Sequence, residues 1–385
     1  MPKRPDKPRP RAKSSRHLLA KSPVGRIDFI LLVLVVILLG FGAMMIYDAS
    51  IVSAARDFGD KFFYVKNQLL WIGVGLVALL VTSRIDYHIY YRLALPAYLI
   101  CLVLLILVFI PMLGIGAYGA HRWLDFRVFS FQPSEVMKLV LVMFLAAWLS
   151  SRESLKGLKE SAIPFLAIVA PVVCLIILQP DMGTMLVIVG MAFTVYFASG
   201  ANVIYFASIL GLGAGGFLVF ALTSAYRRAR ILTFLNPTSD TRDTGYHINQ
   251  VLMSLGSGGI FGEGIGQSRG KYDYVPEVAN DSIFAVIGEE LGFIGSLLLF
   301  AALGFFLYRG FHIASAAPDR FGQLLATGIV GTIAIQTILN LGSMVSLFPL
   351  TGVPLPFISY GGSNMVVTLA SIGILLNISR QVRSE

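Results

Sequence analysis

Asp281 is the side chain best placed to do chemistry in this sequence. It lies in Gly262–Gly292, GEGIGQSRGKYDYVPEVANDSIFAVIGEELG, where a glycine-rich polar loop turns into a long apolar helix. The helix dipole stabilises an exposed carboxylate in the first turn by about 0.3–1 kcal/mol, so Asp281 can be a simple cap. Asn280, just before it, can cap the helix equally well, which leaves Asp281 available as a general base for a hydroxyl proton. Glu289 and Glu290 lie about two turns deeper, Glu289 roughly 80° round from Asp281 and Glu290 on the opposite face. An ionisable group at that depth is either functional or held by a partner from another element, as an ion pair or protonated.

Further clusters surround this one in the sequence. Phe131–Lys138, FQPSEVMK, opens an apolar stretch with Pro133 near the first helical position and Glu135 near the positive helix end. Glu135 and Lys138, three apart, can meet on one face. They form either a self-satisfied ion pair or a site in which Lys138 faces an outward cavity and neutralises a phosphate that Glu135 orients. Gln179–Thr184, QPDMGT, is a tight turn with Asp181 as a turn or cap residue. Gln336 and Asn340 share a helix face and suit interhelical hydrogen bonds as well as ligand contacts. Thr351–Ser363, TGVPLPFISYGGS, cannot be a regular helix with two prolines and paired glycines. Irregular backbone entering a membrane must be buried in protein or line a cavity, so this run floors or walls a site.

The composition names the scaffold that must position these groups. Of 385 residues, 56% are hydrophobic and 13% charged, with a mean hydropathy of +0.77; roughly a quarter of a soluble domain is charged. The expected fold is an all-α, polytopic membrane helix bundle. About ten stretches are long enough to span: 28–48, 67–83, 93–110, 134–150, 162–179, 183–199, 203–223, 282–308, 321–347 and 363–379. Residues 1–26 read as a disordered basic tail, 27–380 as one membrane domain with a large outer loop at 224–281 between spans 7 and 8, and 381–385 as a short tail. The first apolar run is longer than a signal-peptide core and lacks a cleavage site, so it stays as a span.

Net charge is +9, and Lys3, Arg4, Lys7, Arg9, Arg11, Lys13, Arg16, Lys21 and Arg26 against Asp6 account for nearly all of it. Such a tail suits anionic membrane lipids at about 1 kcal/mol per basic residue, and nucleic acid is not expected as a partner. Cys101 and Cys174 lie in apolar runs and predict no disulfide. The five histidines show no ligand spacing, so no metal site is assigned. GSGGIFGEGIG follows no strand and lacks a phosphate-loop lysine, which leaves a mobile hairpin over the membrane surface as its expected form.

The basic tail and the positive-inside rule put both termini in the cytoplasm, together with SRIDYHIYYR, SRESLKGLKES and YRGFHIASAAPDR. The outer loops then hold Arg122, Arg127, Arg227, Arg228, Arg230, Arg242, Arg269 and Lys271, more base than an outward surface normally carries. They point to an anionic ligand at the outer interface.

The order FQPSE-x2-K, QPD-x-GT, VPE-x3-D-x-IFAVIGEELG and PLPFISYGGS resembles the SEDS family of membrane peptidoglycan glycosyltransferases, the FtsW and RodA proteins, over about Asp28 to Ser379. DASIVSAARDFGDKFFYVKNQ and FAVIGEELGFIG look more like the FtsW branch. The family's usual run is closer to PE-x-HTDFIFAV; here Ala279 and Asn280 replace the His-Thr pair and Ser282 the Phe, while Asp281 is kept. The resemblance implies polymerisation of lipid II into glycan strands on the outer face of the cytoplasmic (inner) membrane, for septal synthesis in cell division. Asp281 would be the catalytic base. Lys138, Arg122 and one or more of Arg227, Arg228 and Arg230 would hold the lipid pyrophosphate, a job that a divalent cation, Mg or Mn, can share. Gln132, Ser134, Glu135, Asp181, Glu277, Ser359, Tyr360 and Gly361 are the remaining substrate-contact candidates. Implied partners are the growing undecaprenyl-linked strand, a single-span class B penicillin-binding protein and other division proteins. Rival readings are a lipid II flippase, a RodA-type elongation polymerase, another polymerase of polyprenyl-linked sugars and a non-catalytic scaffold.

Overall fold

The computed structural model describes residues 25–110, 114–117, 120–125, 130–152, 155, 157–222 and 244–382. Apolar helices dominate it: α1 Phe29–Phe58, α2 Phe63–Arg84, α3 His88–Leu107, α4 Pro133–Ser150, α5 Ile163–Leu178, α6 Met182–Ala198, α7 Val203–Leu222, α8 Thr244–Ser257, α9 Ile283–Ser315, α10 Arg320–Met344 and α11 Gly362–Gln381. Eight of them, α5 counted with the π-turn Leu158–Ala162 before it, are long and apolar enough to cross a membrane. With α6, at 17 residues, and α7 they follow the order of the ten expected spans. The protein is an integral membrane helix bundle. One departure from an all-α reading lies between α3 and α4, where β1 Gly114–Ala117, β2 Ala120–Asp125 and β3 Ser130–Phe131 form a small antiparallel sheet. The glycines, polar groups and short length of that run suit a hairpin better than a helix.

Burial sorts the helices into layers. In α4, α10 and α11, 78%, 67% and 72% of the most apolar window is buried against protein, while in α2 and α3 the share is 22%. The first three are therefore the centre of the bundle, and the other two face lipid along much of their length. Small residues permit the tightest crossing: a Cβ on Gly373 would stand 2.0 Å from Thr82 Oγ1 and one on Gly75 2.6 Å from Leu369. Close backbone approach of this kind is how helices associate in lipid, and Thr82 adds a hydrogen bond to the Ala370 carbonyl (2.9 Å). At the opposite end from Asp281 the first and last described segments meet, with Gly25 N–H donating to the Arg380 carbonyl (2.6 Å).

α9 is broken at Gly292 (φ 65°, ψ −163°), and the glycine loop expected to be a mobile hairpin is docked into the break. Glu263 and Gly264 N–H donate to the freed carbonyls of Glu289 and Glu290 (both 3.0 Å), while Phe293 and Ile294 N–H donate to Gly259 (2.9 Å) and Ile260 (3.1 Å). A break in a membrane helix strands backbone groups, and this loop satisfies them. Glycine is required because a Cβ on Gly262 (φ +84°) would lie 2.1 Å from the Glu290 carbonyl oxygen. Gly262→Ala is expected to destabilise by more than about 2 kcal/mol, from left-handed strain and steric displacement together. Gly256→Ala, in α8 with nothing within 4 Å, is expected to be neutral or stabilising by up to about 1 kcal/mol. Thermal unfolding of the two variants in detergent checks the contrast.

Glu289 and Glu290 thereby find their partners in the loop and in α1. Glu289 accepts from Ser268 Oγ (2.6 Å), Arg269 N–H (2.8 Å) and Gly270 N–H (3.2 Å). Glu290 accepts from Ser268 N–H (3.1 Å) and from Lys271 Nζ (3.4 Å), which also reaches Asp48 of α1 (3.0 Å) and the Gly266 carbonyl (2.6 Å). Burial alone would depress the Lys271 ammonium; the hydrogen bond and charge of Asp48, then Glu290, reverse that and hold it above the usual lysine range. The ion pair expected for the glutamates is observed at Glu290, with Lys271, while Glu289 is held by a serine hydroxyl and two backbone N–H groups instead.

Candidate functional site

Ten residues after Lys271 the strap reaches Asp281, which lies in a turn two residues before α9. It is not in the first helical turn, as the sequence suggested; Ser282 takes the N-cap position. The turn is pinned from several sides. Asn340 of α10 donates to the carbonyls of Asp281 and Val353 (both 2.8 Å), and Tyr360 N–H donates to the Ala279 carbonyl (2.9 Å). His247 of α8 meets Ser282 Oγ at 2.7 Å. Glu277, in a left-handed conformation (φ 51°), accepts the Asn280 and Ser282 N–H groups at its carbonyl, and its carboxylate takes the Asn280 side chain. The Asp281 carboxylate is half-buried and faces Gly352, whose φ of +67° and missing side chain let the backbone pass close.

The irregular run Thr351–Gly361 walls this site, as its prolines and glycines predicted. It is largely buried, and a Cβ on Gly42 of α1 or Gly183 of α6 would strike its backbone at 2.4 or 2.3 Å. Gln68 of α2, fully buried, donates to the Ser359 carbonyl (3.5 Å) and accepts from Gly361 N–H (3.3 Å). Ser359 Oγ accepts from Leu355 N–H (2.8 Å), and Tyr360 stands edge-on to Tyr64 at 5.1 Å. Ser359, Tyr360 and Gly361 therefore shape the loop.

A second polar centre lies deeper between α4, α10 and α11. Lys138 and Glu135 pair at 2.8 Å with side chains 6% and 5% exposed. They line a cavity with Thr332, Gln336, Asn364 and Thr368. Its volume of about 20 Å³ is room for a single water, so the helices must part before a phosphate can enter. Ser134 Oγ and Gln336 Nε2 have no hydrogen-bond partner among the described residues. Gln336 and Asn340 are one turn apart on α10, about 6 Å along the axis, so one helix face joins this cavity to the Asp281 turn. Gln132 N–H donates to Ser363 Oγ (3.2 Å) and its side chain to Asp181 (3.4 Å). Asp181 is the cap of α6, accepting from Thr184 N–H (3.0 Å) and Oγ1 (2.9 Å). Arg122, on β2, turns its guanidinium onto the carbonyls of Gln179 and Pro180 and so braces the same turn.

The structure thus brings the FQPSE, QPD, VPE-x3-D and PLPFISYGGS segments to one end of the bundle. Arg227, Arg228 and Arg230, and with them Arg127 and Arg242, lie outside the described residues. Three contributors were missed from sequence: Gln68, His247 and Ser282. Gln68 carried a signal, an amide within an apolar span; His247 was set aside for want of ligand spacing, a test that concerns metals only. Among the described residues no three His, Cys, Asp or Glu side chains form a metal cluster.

A broken, many-spanned helix bundle with a carboxylate turn over a buried lysine–glutamate pair defines a class of membrane protein that comparison with known proteins makes specific. The chain belongs to the FtsW/RodA/SpoVE family of cell cycle proteins, whose model matches residues 29–384. It is 41% identical to the stage V sporulation protein E of Bacillus subtilis (strain 168) over 92% of this chain and 98% of that protein. It is 39% identical to the probable peptidoglycan glycosyltransferase FtsW of Geobacter sp. (strain M18), over 92% and 97%. Among solved structures, a peptidoglycan synthase complex that coordinates polymerization and crosslinking superposes with a TM-score of 0.76 at 30% identity, over 93% of this chain and 99% of that one. The rod shape determining protein RodA of Thermus thermophilus gives 0.69 at 28%, over 93% and 98%.

Proposed function

We propose that the protein is a peptidoglycan glycosyltransferase that polymerises lipid II at the outer face of the cytoplasmic membrane, with both termini inside, for septal synthesis. The observation that carries this is the placement of Asp281 on a pinned turn at one end of the bundle, above the Lys138–Glu135 pair on the same face of α10. Asp281 takes the proton of the N-acetylglucosamine 4-hydroxyl as that oxygen attacks the anomeric carbon of the growing strand. The bond to the lipid pyrophosphate breaks with inversion, and the pyrophosphate leaves with the electron pair. General base catalysis is worth about 10²–10⁴-fold, so alignment of the two lipids and charge stabilisation supply the rest. Lys138, with Arg122 and the bases at 227, 228 and 230, meets the leaving group's charge, alone or with a divalent cation. A class B penicillin-binding protein crosslinks the product.

The test is glycan-strand formation from purified lipid II by the reconstituted protein, with a penicillin-binding partner blocked by a β-lactam. Strands support the proposal; no strands, with lipid II crossing vesicle membranes, hands the site to a transporter. One observation favours that second reading: the far end of the bundle holds its own polar latch, His88 bridging Asp86 (2.7 Å) and Asp319 (3.3 Å). In the same assay Lys138→Met is expected to lower turnover by about 10²-fold. It also strands buried Glu135, at about 3–5 kcal/mol of stability. Adding Glu135→Gln is expected to restore stability without restoring turnover; recovery of both reduces the pair to a structural contact.

A further inference from the structure

Ser282 sits at the N-cap of α9 yet makes no capping hydrogen bond. A serine there normally accepts from the second or third helical N–H, which is worth about 1 kcal/mol. Its hydroxyl, fully buried, turns instead to His247 Nε2 at 2.7 Å and, by a longer contact, to Asp281 Oδ1 at 3.4 Å. His247 stands on α8 and is partly exposed. A buried hydroxyl that forgoes its cap to bridge a carboxylate and an imidazole is a two-step proton wire.

We propose that Ser282 and His247 relay the proton away from Asp281 after each glycosyl transfer. The inference rests on the reading of Asp281 as general base. Every turnover leaves Asp281 as the acid, and the next one requires the carboxylate. With His247 in the tautomer whose Nε2 is bare, the Asp281 O–H passes its proton to Ser282 Oγ while the Ser282 O–H passes its own to Nε2. One carboxylic O–H and one hydroxyl O–H break, and one hydroxyl O–H and one N–H form. Asp281 is again a carboxylate, Ser282 is unchanged, and His247 is an imidazolium that passes its proton on to solvent. The imidazole's ordinary pKa, about 6.5, makes it the one side chain whose unperturbed charge change suits this hand-over near neutrality. His247 and Ser282 are thus positioning residues that act through Asp281.

Among the described residues, the ionisable groups on the elements packed about His247 are few. α8 carries only Tyr246 besides it; the Asp281 turn contributes Asp281 and Glu277. The π-turn Gly270–Tyr274 carries Lys271, Tyr272, Asp273 and Tyr274, with Arg269 as its cap; Lys271 is committed to Asp48 and Glu290. Glu289 and Glu290 of α9 are committed to the loop, and α10 has no charged residue after Arg320.

The test is steady-state polymerisation of lipid II between about pH 5.5 and 9, in the same reconstituted complex, for wild type, His247→Gln, Ser282→Ala and Asp281→Asn. Glutamine keeps a hydrogen-bonding group toward Ser282 and cannot carry the proton on. His247→Gln is expected to lose about tenfold in turnover at neutral pH with half-saturating lipid II unchanged, and to lose the acid limb that wild type shows. Ser282→Ala is expected to match it, and the double variant to be no slower than either single one, because one wire is cut once. Should His247→Gln fail to fold, Ser282→Ala, which removes a single oxygen, decides. Wild-type turnover and an intact acid limb in Ser282→Ala overturn the relay. If Asp281→Asn itself polymerises at the wild-type rate, the base assignment fails first; if only Asp281→Asn is inactive, the relay alone is wrong.

Discussion

Asp281→Asn is expected to lower strand formation by about 10²–10⁴-fold while leaving the protein folded. The substitution keeps size and shape and removes only the charge and basicity. The turn survives it because its anchors hold backbone: Asn340 grips the Asp281 carbonyl, and Tyr360 grips that of Ala279. Unfolding stability should therefore move by less than about 0.5 kcal/mol, and lipid II should still bind. Asp281→Glu moves the carboxylate by one methylene and should cost at least about tenfold, since misplacement of a reacting group by an ångström is itself expensive. Gel analysis of polymer from lipid II, beside binding and thermal unfolding of the same preparations, checks all three. Equal polymer from Asp281→Asn and wild type would remove Asp281 from the reaction.

Lys271→Met is expected to be the most destabilising single change away from the Asp281 turn. Its ammonium, 3% exposed, is shared by Asp48 (15%) and Glu290 (0%). Removing the cation leaves two buried carboxylates side by side, and a stranded buried charge costs about 3–5 kcal/mol. Glu290→Gln in the same chain removes one of those charges and keeps an acceptor for Ser268 N–H, so it should return part of the loss. A Lys271→Met/Glu290→Gln double variant no better than the single one would contradict the charge argument. The break shows locally as well: the strap from Gly258 to Lys271 should leave the α9 notch and become cleavable by trypsin at Arg269. The pH dependence has a definite sign. Lys271 is held above the usual lysine range, so its contribution is complete below about pH 10 and falls away as pH rises through the elevated value. Thermal unfolding should be flat on this account across neutrality and drop only in strong alkali.

Much of the molecule was legible in the sequence because lipid leaves few choices. Runs of about 20 apolar residues must be helices that satisfy their own backbone, so the order and kind of the spans follow from hydropathy alone. The prolines and glycines of Thr351–Ser363 announced irregular, buried backbone, and Glu135 and Lys138, three apart on one helix, could be paired from spacing. Asp181 could be read as a cap for the same local reason.

What only tertiary structure decided are the contacts between residues far apart in the chain. Glycines at 262 and 292 look alike in sequence whether a loop is loose or clamped; only their meeting shows why a Cβ is forbidden at both. The partners of Glu289 and Glu290 come from a loop about twenty residues earlier and from Asp48, some 240 residues away, distances at which periodicity says nothing. Asn340 and His247 converge on the Asp281 turn from two different helices, and Gln68 of a third holds the irregular run that walls it. Periodicity reports which face of a helix is apolar, and it carries no record of which polar group another helix will set against it. Residue types and helix order were therefore written locally, while the geometry around the Asp281 carboxylate belongs to the packed bundle.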